Sequence, residues 1–113
     1  MFQPTYYFYI TTNPNRTVLY CGMTNNLPQR VIEHYLNRGN QKTFAGKYYC
    51  YFLTYYEKFG YVHDAIAREK EVKKWRREKK EILIRSFNQE LKFLNFELFD
   101  KWPPEEMFHR KDI

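Results

Sequence analysis

Two short runs of aromatic and β-branched residues, 5–12 and 17–23, flank the segment Asn13-Pro14-Asn15-Arg16. Side chains of this kind suit the pleated surface of a strand. Asn and Pro between them mark a turn. So short a connection leaves antiparallel pairing as the only option, and the two runs form a hairpin. Tyr7-Phe8-Tyr9 and Tyr20-Cys21-Gly22 then lie on neighbouring strands, with Tyr7 and Tyr9 on one face by the period of two.

The rest of the chain must cover this hairpin. Asn25 or Asn26 caps a helix whose first turn tolerates Pro28. That helix runs to about Asn37 and ends near Gly39. Residues 40–47 are polar and contain glycine, as loops do. Residues 48–56 are apolar almost throughout, which predicts a third strand, central or well covered. After Gly60 a second helix is expected over 62–77 and a third over 79–87. The aromatic tail places Phe93, Leu94, Phe96, Leu98, Phe99 and Trp102 back on the domain, with fraying after Pro103-Pro104. The order β-β-α-β-α-α describes a small α/β domain: a three-stranded antiparallel-type sheet with helices packed on it. One domain over 1–113 accounts for the length, with a core at about 5–90 and a tail at 91–113.

Composition narrows the class of partner. Eleven Tyr and ten Phe among 113 residues supply much buried area and argue against disorder. A net charge of +6 and a pI near 9.3 favour a polyanionic partner, nucleic acid before membrane, with a merely solvated basic surface as the even alternative. Cys21 and Cys50 have neither metal-ligand nor disulfide spacing and read as reduced core thiols. The N-terminus lacks the charged and apolar regions of a secretory signal, and no stretch has the roughly 20 apolar residues of a membrane span. A soluble cytoplasmic protein is expected.

The second helix carries the sharpest chemical clue. At ~100° per residue, Val62, Ala65, Ile66 and Val72 form one stripe, and Glu69 falls within it. Glu71 and Glu78 face away. A carboxylate on a core-facing stripe costs free energy unless it is paired or bound to a cation. It is therefore either a salt-bridge partner at a helix edge or a metal ligand in a cleft. A single Glu suffices for Mg²⁺, which keeps several waters. The run 68–85 holds nine of the 19 Lys and Arg. Lys70, Lys73, Lys74, Arg76 and Arg77 read either as a solvated face or as a surface that tracks phosphates. Trp75 beside them is a packing residue or a base platform.

Arg30 and His34, four residues apart, share a face of the first helix, beside an apolar face of Leu27, Val31 and Tyr35. A guanidinium fits phosphate oxygens bidentately. A phenol such as Tyr9 or Tyr20 acts as a general base only where nearby positive charge lowers its pKa of about 10. Gly22 permits close approach of backbone or substrate.

In this order the motifs resemble the GIY-YIG nuclease superfamily, and within it small single-domain proteins similar to the nuclease domain of the bacterial excision-repair endonuclease. Tyr7-Phe8-Tyr9 stands in the place of the first motif and Tyr20-Cys21-Gly22 in that of the second. Gly22-Met23-Thr24-Asn25-Asn26-Leu27 then leads to Arg30 and His34. The segment 65–75 looks like the helix bearing the family's metal-binding Glu, and Ser86-Phe87-Asn88 like the segment with its late asparagine. Tyr7 replaces the first motif's glycine and Cys21 the usual aliphatic residue of the second.

The resemblance implies an endonuclease that hydrolyses DNA phosphodiesters with one divalent cation, Mg²⁺ or Mn²⁺, held by Glu69. Tyr9, by motif position, would activate water with support from Tyr20. Arg30 would stabilise charge on phosphorus, His34 would orient a neighbour or touch phosphate, and Asn88 would bind or brace the site. Repair, or processing of branched or foreign DNA, would be its setting. Substrate choice would come from this domain, a protein partner or a homodimer. The alternative is a nucleic-acid-binding module of the same fold that does not cut alone.

Overall fold

The computed structural model describes residues 4–104. Strands β1 (Tyr6–Thr12) and β2 (Leu19–Thr24) form the expected hairpin. Its turn is held by Asn13, whose side-chain oxygen accepts from the Thr17 and Val18 amides at 2.8 and 3.0 Å. Helix α1 (Leu27–Leu36) starts at Asn26, which accepts from the Gln29 amide, and has Pro28 in its first turn. There follow α2 (Phe44–Lys47), β3 (Phe52–Phe59), α3 (Val62–Lys73), α4 (Arg77–Phe87) and α5 (Asn95–Leu98). The α/β class and the three-stranded antiparallel sheet are as expected, in the order β2-β1-β3.

Central β1 divides the core. One face packs Phe8 and Ile10 with Cys21, Tyr55, Val72 and Ile84, under α3 and α4. The other packs Tyr9 with Leu27, Val31, Leu53 and Leu94, under α1 and the tail. Leu98, Phe99 and Trp102 lie against this second cluster, and Phe93 stacks on Phe52 with ring centroids 3.9 Å apart. Phe96 is the exception in the tail and is exposed. The expected fraying after Pro104 falls outside the described residues.

Four elements differ from the sequence reading, the first being α5, a helical turn in the tail where no element was expected. Within the supposed loop 40–47, Thr43 caps a helical turn by accepting from the Gly46 amide at 3.1 Å. The third strand begins at Phe52, four residues late, and is an edge rather than the centre. Its apolar character comes from cover on its faces and its outer edge. The Leu94 amide donates to the Leu53 carbonyl, and Asn95, fully buried, accepts from the Leu53 amide at 2.6 Å and donates to the Tyr51 carbonyl at 3.0 Å. These bonds satisfy backbone groups that an edge strand otherwise leaves unpaired. The second helix stops at Lys73 instead of Arg77. The chain turns over 74–76, so that Trp75 packs on the Phe8 cluster and α4 folds back to bring Ile84 beside Val72. Among the described residues no helix is long and apolar enough to cross a membrane.

Sequence inspection also missed an ion pair on this side. Arg68 on α3 grips Glu57 of β3 through Nε and Nη2, at 3.0 and 2.9 Å, and Tyr55 donates to the same carboxylate. Burial, then the bond to Glu57, holds the Tyr55 phenol well above its ordinary pKa.

Replacing Asn95 with Leu leaves the Leu53 amide and Tyr51 carbonyl unpaired in the interior. The expected loss is about 2–4 kcal/mol. It should appear as a lower urea midpoint with unchanged slope. A midpoint equal to that of wild type would contradict the bracing role of Asn95.

Candidate active site

The register of the hairpin builds the centre of the site. Tyr9 lies directly opposite Gly22, and Tyr20 opposite Thr11, so Tyr9 and Tyr20 are diagonal neighbours on one face. Their ring centroids are 6.4 Å apart. The Tyr9 ring crosses the Cα of Gly22. A Cβ placed there would lie 2.5 Å from the phenol oxygen and 2.6 Å from Cζ. The glycine thus makes room for a side chain of the protein itself.

Helix α1 supplies the next layer. Tyr9 Oη and His34 Nε2 are hydrogen-bonded at 2.7 Å, and the His34 ring also packs edge-on to Tyr20 at 5.4 Å. Burial drives the His34 pKa down to about 4, and Arg30 one turn earlier adds to the fall. Burial, followed by the charge of Tyr20, holds Tyr9 well above an ordinary phenol, with Glu69 adding to the rise and Arg30 opposing it. The pair is therefore neutral at pH 7: a protonated phenol against an uncharged imidazole. Arg30 Nε lies 3.1 Å from Glu33 Oε1, off the line of a hydrogen bond, and is buried without a hydrogen-bond partner.

Tyr20, Arg30 and His34 line an open cleft of about 490 Å³, together with Glu33 and the α2 residues Phe44 and Ala45. That size suits a nucleotide-scale ligand. Tyr20 is half-buried there, while Tyr9 is fully buried behind it.

Glu69 approaches from α3, which packs on the opposite face of the sheet. Because β2 is an edge strand, α3 side chains reach the site around that edge. Lys73 Nζ is 5.9 Å from the Tyr20 ring centroid and 3.3 Å from Glu69 Oε2. The Glu69 side chain is 22% exposed, and Lys73 is its ion-pair partner. Its charge is felt at both Tyr9 and Cys21. Among the described residues no group of three or more His, Cys, Asp or Glu could hold a metal. One half-buried hard oxygen donor, its charge acting on Tyr9, fits a cation that keeps most of its waters, such as Mg²⁺. Glu69 would be its protein ligand, in competition with Lys73.

The other residues singled out in the sequence divide by position. Lys70, Lys74 and Arg76 are exposed on α3 and the turn after it. Arg77 is tied into the fold instead: it donates to the carbonyls of Arg16 and Thr17 in the hairpin turn and pairs with Glu81. Asn88 is buried at the β3 edge, remote from β2, where it donates to the carbonyls of Thr54 and Lys92. Trp75 packs on the core between Arg68 and Lys79, with the Lys79 ammonium 4.2 Å from its ring. Phe44 was missed as part of the cleft wall. Its signal was the Thr43 cap ahead of Phe44-Ala45-Gly46.

Comparison with known proteins gives the family. The model of the GIY-YIG catalytic domain matches residues 5–81. The chain is 40% identical over 75 residues to the "UPF0213 protein in ldhD 5'region" of Pediococcus acidilactici, an alignment covering 66% of this chain and 76% of that protein. No solved structure matches significantly.

Gly22→Ala should displace the Tyr9 phenol and break its bond to His34. Overpacking of this kind costs about 1–3 kcal/mol, measurable by urea unfolding, and the His34 ring resonances should shift. The buried imidazole also predicts a pH dependence. The folded pKa of His34, about 4, lies below the value of 6.5 expected for the unfolded chain, so the unfolded state takes up the extra proton in that window. The stabilisation is complete above the upper value and is lost as pH falls toward the lower one. Wild type should therefore lose stability relative to His34→Gln on acidification through this range. Parallel stability profiles, or an NMR titration of His34 near neutrality, would contradict the assignment.

Proposed function

The chain belongs to the GIY-YIG family, and from that premise we propose that it is a divalent-metal-dependent endonuclease hydrolysing DNA phosphodiester bonds. The observation that carries this reading is the convergence of Tyr20, Arg30 and His34 on one cleft, with the Glu69 charge close enough to act on Tyr9 behind it. Phosphodiester hydrolysis needs an acceptor for the proton of water, positive charge at the phosphate and exact placement of both.

Motif order gives the water-activating role to Tyr9, but burial argues for exchanging the two phenols. A fully buried, protonated Tyr9 bonded to His34 cannot reach water in the cleft. Tyr20, half-buried and facing the cleft, would take the proton of water as its phenolate, its own proton having first left to solvent. Tyr9 and His34 fix the Tyr20 ring by packing on it. Arg30 directs its guanidinium to the phosphate oxygens, held in place by Glu33. Glu69 would hold Mg²⁺ or Mn²⁺. When bound, the cation supplies charge neutralisation at the phosphate. Lys73, released from Glu69 in that state, would serve the DNA backbone with Lys70, Lys74 and Arg76. Arg77, spent on the hairpin turn, contributes less. Asn88 braces the sheet. A single domain over 1–113 acts on DNA in the cytoplasm, in repair or on branched or foreign DNA.

A second reading, a nucleic-acid-binding module without cleavage of its own, draws support from the Lys73 ammonium on Glu69, which neutralises the carboxylate without a metal.

Plasmid nicking in Mg²⁺ or Mn²⁺ separates the two. Cleavage should stop with a chelator and fall at least about 10²-fold in Glu69→Gln. Tyr20→Phe should lose on the order of 10²-fold or more, as removal of a general base does, and Tyr9→Phe should lose less. Equal cleavage by wild type and Glu69→Gln would remove the metal assignment. Salt-sensitive binding with no nicking would favour the binding module.

A further inference from the structure

The short helix α2 carries an exposed aromatic surface that the chemistry of the cleft does not use. Its position is tightly set. Gly39 donates to the Gly46 carbonyl at 2.8 Å, and a Cβ on Gly46 would lie 2.7 Å from the Asn40 carbonyl oxygen and 2.8 Å from that of Asn37. Only a glycine lets α2 sit this closely on the end of α1. The seat presents Phe44 with 52% of its surface exposed and Tyr48 with 39%. The Phe44 ring is inclined only 25° to Tyr20 at 6.2 Å, and Tyr48 lies 4.8 Å beyond it. Tyr20 and Phe44 thus share the cleft with Arg30, and Tyr48 continues the row of rings toward solvent beyond it. The Lys47 ammonium is 5.4 Å from the Tyr48 ring, and Lys42 nearby is exposed.

An apolar ring held open to water beside a phosphate-binding arginine, and flanked by cations, suits a ligand with a flat π face and negative charge. A nucleotide has both. In a duplex the faces of the bases are covered by their neighbours, so an unpaired or extruded base is needed to meet Phe44. We propose that Phe44 stacks an unpaired base next to the phosphate held at Arg30, so that the site selects single-stranded or branched DNA over intact duplex. The inference rests on the endonuclease reading and names the substrate class of the same cleft.

The test is binding of the full chain, with chelator present to block cleavage. The probes are a single-stranded oligonucleotide carrying 2-aminopurine and the same sequence as a blunt duplex. Wild type should bind the single strand more tightly and quench the 2-aminopurine on stacking. Phe44→Leu keeps bulk but removes the π face. It should weaken single-strand binding by about tenfold and abolish the quenching, with duplex affinity unchanged. Phe44→Tyr should restore both. Equal single-strand and duplex affinity, or a Phe44→Leu variant indistinguishable from wild type, would overturn the inference while leaving the endonuclease reading intact. If wild type bound neither DNA even at low salt, both would fall, and a protein surface would be the better occupant for Phe44 and Tyr48.

Discussion

The Tyr9 ring fills the space that a side chain at Gly22 would occupy. That close approach, in the middle of the hairpin, sets where the phenol oxygen points. The oxygen then meets His34 and aligns α1 on the sheet. One turn back along α1 stands Arg30, and across the strand stands Tyr20. A missing Cβ in β2 thus orders the chemistry of three elements. It also separates the two tyrosines into a buried, protonated support and a half-buried neighbour that faces the cleft.

The second organising constraint is the strand order. With β1 central, both its faces are buried and the sheet has two edges. The two edges are treated differently. The β3 edge is closed by Asn88, Leu94 and Asn95, which satisfy its backbone groups. Around the β2 edge, Lys73 comes from a helix on the other face to within 5.9 Å of the Tyr20 ring centroid, with Glu69 as its ion-pair partner. The carboxylate is held by its own lysine one turn on. Such an ion pair keeps a half-buried acid tolerable without a cation, since each charge compensates the desolvation of the other.

The local features were legible in the sequence. Asn13 and Asn26 act where turn and cap chemistry place them, because their partners are within five residues. The apolar stripe of α3 is present at Ala65 and Val72, with Glu69 at its border. Other features were hidden. Asn95 sits in an unpatterned tail and gains its meaning from β3, 42 residues away. Residues 48–51 are as apolar as the strand after them, so composition does not mark where pairing starts. The end of α3 at Lys73 depends on Trp75 and Ile84 finding the same cluster, which helix propensity does not encode. Arg77 looked like part of a basic surface and is a brace on the hairpin turn.

By itself the sequence determined the hairpin, the helix on Asn26 and the succession of the three strands and the longer helices. These follow from periodicity, turn residues and side-chain type, all of which act over a few residues. The tertiary structure alone decided which phenol is buried, which phenol lines the cleft and which arginine is spent on the fold. Those outcomes depend on burial and on the distance between charges from remote segments, and both exist only once the sheet has closed and the helices have been laid against it.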